Sequence, residues 1–273
     1  MRFSRLALQY CRKNWWYLAL ATLVPSIVMG LLTEPCTMIQ LFANFNQAKL
    51  VTFGDVFFAI SELNWKSVVA GIFAVPIFSI FFSIVCGLES KHMRWGILSR
   101  EGLLKRINNN FLPVFKLMLV FIFVMELYAV ICSLFTFLWV KVARKAVVAL
   151  GLTITINVIL FIVMLSAMIL LSLTLPVMSI TGVSLRKAIA ESITLLKGKF
   201  FRMMFAVVVP MLIPYVIMAV LAAFGFWWRK IINIFLFIYV FSYYITLMYT
   251  TYLDIADIDR EDLKNKYLKL VEG

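Results

Sequence analysis

The stretch Ser184–Met204, "SLRKAIAESITLLKGKFFRMM", decides the architecture because it changes character halfway along. Leu185, Ala188, Ile189, Ser192, Ile193 and Leu196 recur at the spacing of one helix face, while Arg186, Lys187, Glu191, Thr194 and Lys197 take the other. Gly198 then breaks the pattern, and Phe200 and Phe201 open a run of residues that is apolar on every side. A helix basic on one face and greasy on the other suits a membrane surface, and an apolar run of about 20 residues suits the bilayer interior. The segment therefore predicts a surface helix that hands the chain over to a membrane span.

The rest of the chain agrees. Of its 273 residues, 64% are hydrophobic and 14% charged, with a mean hydropathy of +1.00. Soluble domains carry about 25% charged residues, so the composition is that of an integral membrane protein. The net charge of +13 does not point to nucleic acid, because the basic residues flank apolar runs instead of forming polar, solvated surfaces. Six segments reach the length of a span: about 15–32, 67–88, 111–140, 147–178, 200–226 and 231–253. The third and fourth are long enough to require tilt, a kink or projection beyond the lipid. The first apolar run is too long for a signal peptide's hydrophobic region and has no small-x-small site after it, so it is expected to be a span.

Orientation follows from the basic residues. Arg2, Arg5, Arg12 and Lys13, the group from Lys91 to Lys116, the group from Arg186 to Arg202, and Arg260, Lys264, Lys266 and Lys269 fall on one side. The other side holds Lys49, Lys66, the cluster Lys141, Arg144 and Lys145, and the pair Arg229 and Lys230. The richer side, which carries both termini, is expected to be cytoplasmic. The headgroup-contacting residues expected on it are Arg12, Lys13, Lys105, Arg106, Arg186, Lys187, Lys197 and Lys199, with anionic lipid as the partner.

The opening pattern recurs. In "SREGLLKRINNNFLPVFKLML", Leu103, Leu104, Ile107 and Phe111 are apolar, and Asn109 and Asn110 precede the aromatic entry. At the N-terminus Phe3, Leu6, Ala7 and Tyr10 form the stripe and "KNWW", Lys13–Trp16, makes the turn. The predicted fold is thus a single all-α membrane domain over 1–273, a six-helix bundle of three repeated units, 1–90, 91–182 and 183–273, each an amphipathic helix followed by a helical hairpin. The segment 33–66 is expected to hug the interface, with Phe57, Phe58 and Trp65 at headgroup level, or else to re-enter the membrane.

Two places carry a resemblance: the Ser184–Met204 helix ending in Lys-Gly before an aromatic, and "YTTYLDIADIDRED" after the last span. They resemble a superfamily of bacterial six-helix inner-membrane proteins that includes the membrane domain found beside some glycerophosphodiester phosphodiesterases, together with families of unknown function. The resemblance implies a bacterial cytoplasmic-membrane location. In that family catalysis belongs to a separate soluble barrel that this sequence does not contain, so no catalytic residue carries over. The arginine that usually follows shortly after the final-span aspartate is missing, since Asp254 is followed by "IADIDR".

Chemistry-bearing motifs are sparse. There is no P-loop, GxSxG, HExxH or dinucleotide fingerprint. His92 is the single histidine, read as a surface residue, and Cys11, Cys36, Cys86 and Cys132 stand singly as small buried thiols, so neither a metal site nor a cofactor is expected. Glu126, deep in the third span, stands out because an ionisable group there costs about 2.5 kcal/mol unless it is neutral, paired or hydrated. Folding the chain back near Arg144 places it level with the zone from Asn157 to Ser166, and Tyr243 and Tyr244 are further deep hydroxyls in need of partners. Glu126 either stitches helices together as a neutral hydrogen-bonding group or serves a function. The expectation is a non-enzymatic protein that organises lipid or supports a membrane-protein partner; the alternative is a transporter for a small molecule or lipid using the intramembrane carboxylate.

Overall fold

A computed structural model describes residues 2–32, 52–61, 65–96, 103–143, 145–223 and 228–262. The described chain forms nine helices: α1 (Arg2–Leu32), α2 (Phe53–Ser61), α3 (Trp65–Trp95), α4 (Leu103–Val142), α5 (Ala146–Leu171), α6 (Thr174–Thr181), α7 (Leu185–Leu196), α8 (Phe200–Ala223) and α9 (Arg229–Ile255). Six stretches are long and apolar enough to cross a membrane: α1, α3, α4, α5 with α6, α8 and α9. The protein is an all-α, multi-pass membrane protein, with spans where the hydropathy placed them. Its contacts divide it into two compact units, one of Met1–Thr33, Ala74–Met118 and Ile169–Gly273, the other of Glu34–Phe73 and Leu119–Met168. These boundaries do not coincide with the three repeat-like units.

In the first unit α9 is the central helix. From Ile245 to Leu253 every residue is buried, so this stretch has no lipid face. It pairs antiparallel with α1 along the length of both helices. Arg2 meets Asp254 at 2.5 Å, Thr22 Oγ1 lies 3.2 Å from Ser242 Oγ, and Lys230 Nζ donates to the Leu31 carbonyl at 3.0 Å. Small residues permit this approach, which matters because lipid supplies no hydrophobic drive for helix association. Tyr249, fully buried, shares a 2.7 Å hydrogen bond with Ser179 of α6 and so joins a third element to the pair.

Local chemistry explains the interruptions. Asn14, at φ −119° and ψ 19°, kinks α1 where the "KNWW" turn is predicted, and its side-chain amide donates to the Tyr10 carbonyl at 3.1 Å. Pro176 has no N–H to give, and the long fourth span breaks just before it, at Ser172 and Leu173. Two carbonyls at the break are served by side chains: Ser172 donates to Ile169 at 2.6 Å and Ser192 of α7 donates to Leu170 at 2.6 Å. Gly198 ends the turn after α7 at φ +75°. A Cβ there would meet no atom within 4 Å, so Gly198→Ala is expected to cost only the left-handed backbone penalty. That loss is about 1–2 kcal/mol, measurable by thermal unfolding in detergent.

One expectation needs correction. Asn109 and Asn110 do not turn the chain, because α4 runs unbroken through them for 40 residues. Neither side chain diverts the backbone as Asn14 does, so the second predicted surface helix and its span are one rod. In the second unit, the described part of 33–66 includes the helix α2. Thr52 and Asp55 close its first turn as a reciprocal cap: the Asp55 N–H donates to Thr52 Oγ1 at 3.2 Å and the Thr52 N–H to Asp55 Oδ2 at 2.8 Å. Val56 and Ile60, one turn apart, then pack with Ala129, Cys132 and Val140. Phe57 is half-buried against this cluster and Phe58 is exposed, while the Trp65 side chain lies outside the described residues.

Candidate functional site

The residues singled out from the sequence are not brought together. In the second unit, Glu126 is half-exposed on α4, and among the described residues no hydrogen bond or ion pair reaches its carboxylate. Asn157 instead donates to the Thr153 carbonyl at 2.8 Å and to Thr136 Oγ1 at 3.4 Å, and Ser166 donates to the Ile162 carbonyl at 2.8 Å. Both satisfy their own helix or its hairpin partner. In the first unit Tyr243 is buried and donates to the Ala206 carbonyl of α8 at 2.5 Å, while Tyr244 is half-buried. The partners ranked for Glu126 are therefore engaged elsewhere.

A denser polar site lies in the first unit, around a carboxylate that the sequence places at the edge of a span. Glu89 of α3 has 0% exposure. Its Oε1 accepts a short hydrogen bond from Thr246 of α9, and its Oε2 is buried with no hydrogen-bond partner among the described residues. The signal was available: Val85, Cys86, Glu89 and Met93 are spaced on one face of α3, and all four have 0% exposure. A charged residue on the inward stripe of an apolar helix outranks one on a lipid-facing stretch.

One turn further, His92 is half-buried and does not behave as a surface residue. Its Nδ1 lies 2.7 Å from the Tyr10 hydroxyl, which lies 2.6 Å from that of Tyr17. The Asn14 kink sits between these tyrosines, with both buried. Cys11 and Cys86 are buried free thiols, as is Cys132 in the second unit; Cys36 lies outside the described residues.

The chain beyond α9 supplies the fourth wall. Asp257 adopts φ +51° and the Ile258 N–H donates to the Leu253 carbonyl at 3.0 Å, a six-residue closure that turns the backbone at the end of the helix. Arg260 and Asp262 then form a fork: Nε and Nη2 donate to Oδ1 and Oδ2 at 3.2 and 2.8 Å. Both side chains are over nine-tenths buried, and Arg260 Nη1 is buried with no hydrogen-bond partner among the described residues. Arg260 is also within electrostatic reach of Glu89.

Of these residues Tyr10, Arg260 and Asp262 border a cleft of about 1290 Å³, which Arg2, Arg5, Gln9, Arg12 and Lys13 also line. Of the predicted headgroup residues, Arg12 and Lys13 line it. Lys105, Arg186, Lys187 and Lys197 are exposed elsewhere, and the Arg106 side chain lies outside the described residues. Lys199 borders a smaller cavity of about 150 Å³ with Arg2, Phe3, Arg202 and Asp254. No group of three or more His, Cys, Asp or Glu side chains converges among the described residues. The arrangement offers cations to an anion at the cleft, and an internal array of Glu89, Tyr10, Tyr17 and His92 that can hold protons.

No known family, curated protein or solved structure matches the chain. Its function is therefore argued from this geometry.

Proposed function

We propose that the chain is a non-enzymatic accessory protein of the bacterial cytoplasmic membrane, of the six-helix kind it resembles, with both termini cytoplasmic, where it organises anionic lipid of the inner leaflet. The observation that carries this reading is α7. Ala188, Ser192 and Leu196 are buried on one side of it, while Arg186 and Lys187 are exposed on the other and Lys197 is exposed at its end. Basic residues held in this way at the edge of a span attract anionic headgroups by about 1 kcal/mol each. The N-terminal part of α1 supports it with the same division, Phe3, Ala7 and Tyr10 inward and Arg5, Arg12 and Lys13 outward.

Reversing Arg186 and Lys187 together to glutamate tests the reading. Two lost attractions remove about 2 kcal/mol, and the repulsion that replaces them removes more. The expected result is a clear drop in phosphatidylglycerol retained per protein in native mass spectrometry, with the unfolding temperature unchanged because both side chains are exposed. Equal retention by the variant and the wild type defeats the proposal.

A second reading is favoured by one observation: Glu89 is fully buried, and one of its carboxyl oxygens has no hydrogen-bond partner among the described residues. A carrier that couples cargo to a proton needs such a group, and Glu89 fits that role better than the half-exposed Glu126.

A further inference from the structure

We infer that the face of α4 carrying Glu126, in the second unit, docks a second copy of this chain, with the two Glu126 side chains hydrogen-bonded to each other across the contact. This contact is independent of the lipid reading above, which concerns basic residues at the ends of the spans.

Glu126 is the only charged residue between Lys116 and Lys141. At 1.5 Å per residue it lies ~15 Å along the helix from the first lysine and ~22 Å from the second, beyond the reach of either side chain. Leu119, Ile122, Phe123 and Val130 stand seven, four and three residues before it and four after it, so they share its side of the helix, and all four are exposed. Lipid tails suit those apolar neighbours. They offer nothing to a carboxyl, which at this depth needs a polar partner, and among the described residues this chain supplies none. Asn157 and Ser166 of α5, the nearest polar candidates along the chain, donate to carbonyls of their own helix.

Symmetry makes a second copy the partner that fits. Copies of one sequence insert the same way round, so a two-fold axis relating them runs along the membrane normal. Each residue then meets the other copy at its own depth, and a contact through this face brings carboxyl to carboxyl. A neutral carboxyl offers one donor and retains acceptor oxygens, so two of them satisfy each other. An unrelated membrane protein would need a polar side chain of its own at the same level. The large apolar neighbours set the two α4 axes at about 8–10 Å, a gap that two glutamate side chains close from both sides. The apolar stripe supplies the packing, and Glu126 fixes the rotation of each helix about its axis.

The test uses the full chain, labelled at its N-terminus with a donor or an acceptor dye and reconstituted in phosphatidylethanolamine–phosphatidylglycerol vesicles. Energy transfer is read as the protein is diluted into lipid. The wild type is expected to follow a monomer–dimer curve. Glu126→Leu keeps the apolar packing but removes the hydrogen-bonded pair, and is expected to weaken association about tenfold. Glu126→Gln keeps a donor and an acceptor and is expected to stay within about threefold of the wild type. Glu126→Lys alone is expected to dissociate as readily as Glu126→Leu, whereas its equimolar mixture with wild type regains transfer because opposite charges now face each other. The unfolding temperature in dilute detergent, where copies are apart, is expected to be the same for all four proteins.

A wild type that stays monomeric at every dilution overturns the inference and leaves this face to lipid or to another membrane protein. Association of Glu126→Leu as tight as that of the wild type overturns it too, as does a mixture of Glu126→Lys and wild type that recovers no transfer.

Discussion

Gly30→Val is expected to be the most damaging single substitution in the pairing of the first and last spans, lowering stability by about 3 kcal/mol. A Cβ at Gly30 would lie 2.6 Å from Ile234 Cγ1, 2.8 Å from the Ile234 N and 2.9 Å from its Cα. The side-chain contact could yield by a rotamer change, but the backbone contacts cannot. The two helices would have to move apart, and the antiparallel ladder from Arg2–Asp254 to Leu31–Lys230 would lose its register with them. Thermal unfolding in detergent measures the loss. Gly151→Ala is the matched control, because no atom lies within 4 Å of a Cβ there. It is expected to raise stability by about 0.5–1 kcal/mol, as alanine does in a helix. An unchanged unfolding temperature for Gly30→Val would mean that α1 and α9 do not approach this closely.

The second large effect is expected at Glu89, where two substitutions separate structure from function. Glu89→Ala removes the acceptor of the Thr246 hydroxyl and leaves a cavity on a fully buried face, for a loss of about 2–3 kcal/mol. Glu89→Gln keeps the oxygen that Thr246 needs and fills the same volume. Its expected cost is about 1 kcal/mol or less. Native mass spectrometry of the Gln variant then decides between the two functional readings. A small molecule carried by the wild type and absent from a stably folded Gln variant indicates a carrier in which Glu89 ionises. Identical bound species indicate that Glu89 is a neutral group joining α3 to α9. The same comparison at Glu126 is expected to show little change in stability with either substitution, since no described partner depends on its carboxylate.

Much of the fold was legible along the chain and much of the site was not. The six spans, the kink at Asn14 and the turn at Gly198 are local events, written in runs of apolar residues and in single residues that favour or refuse a helical backbone. The cap of α2 was equally local: Thr52 and Asp55 stand three apart before an apolar pair. Asn109 and Asn110 misled because an asparagine can bend a helix without being obliged to, and only its neighbours decide whether the alternative hydrogen bond is worth making.

For the site, depth in a hydropathy profile chose Glu126, whereas burial by neighbouring helices selects Glu89. Depth is a one-dimensional property, and burial depends on which face of a span meets another span. The amino-acid sequence by itself determined that this is a helical, multi-pass membrane protein, because lipid admits only helices or closed barrels, and uniformly apolar runs of about 20 residues suit a helix where a barrel strand would alternate. Only the tertiary structure decided that α9 is central, that α1 lies antiparallel to it, and that Arg260, fourteen residues after Thr246, comes within electrostatic reach of Glu89. In a membrane, helix pairing is set by the fit of small residues and by a few buried hydrogen bonds, and those are properties of two surfaces in contact that neither helix displays alone.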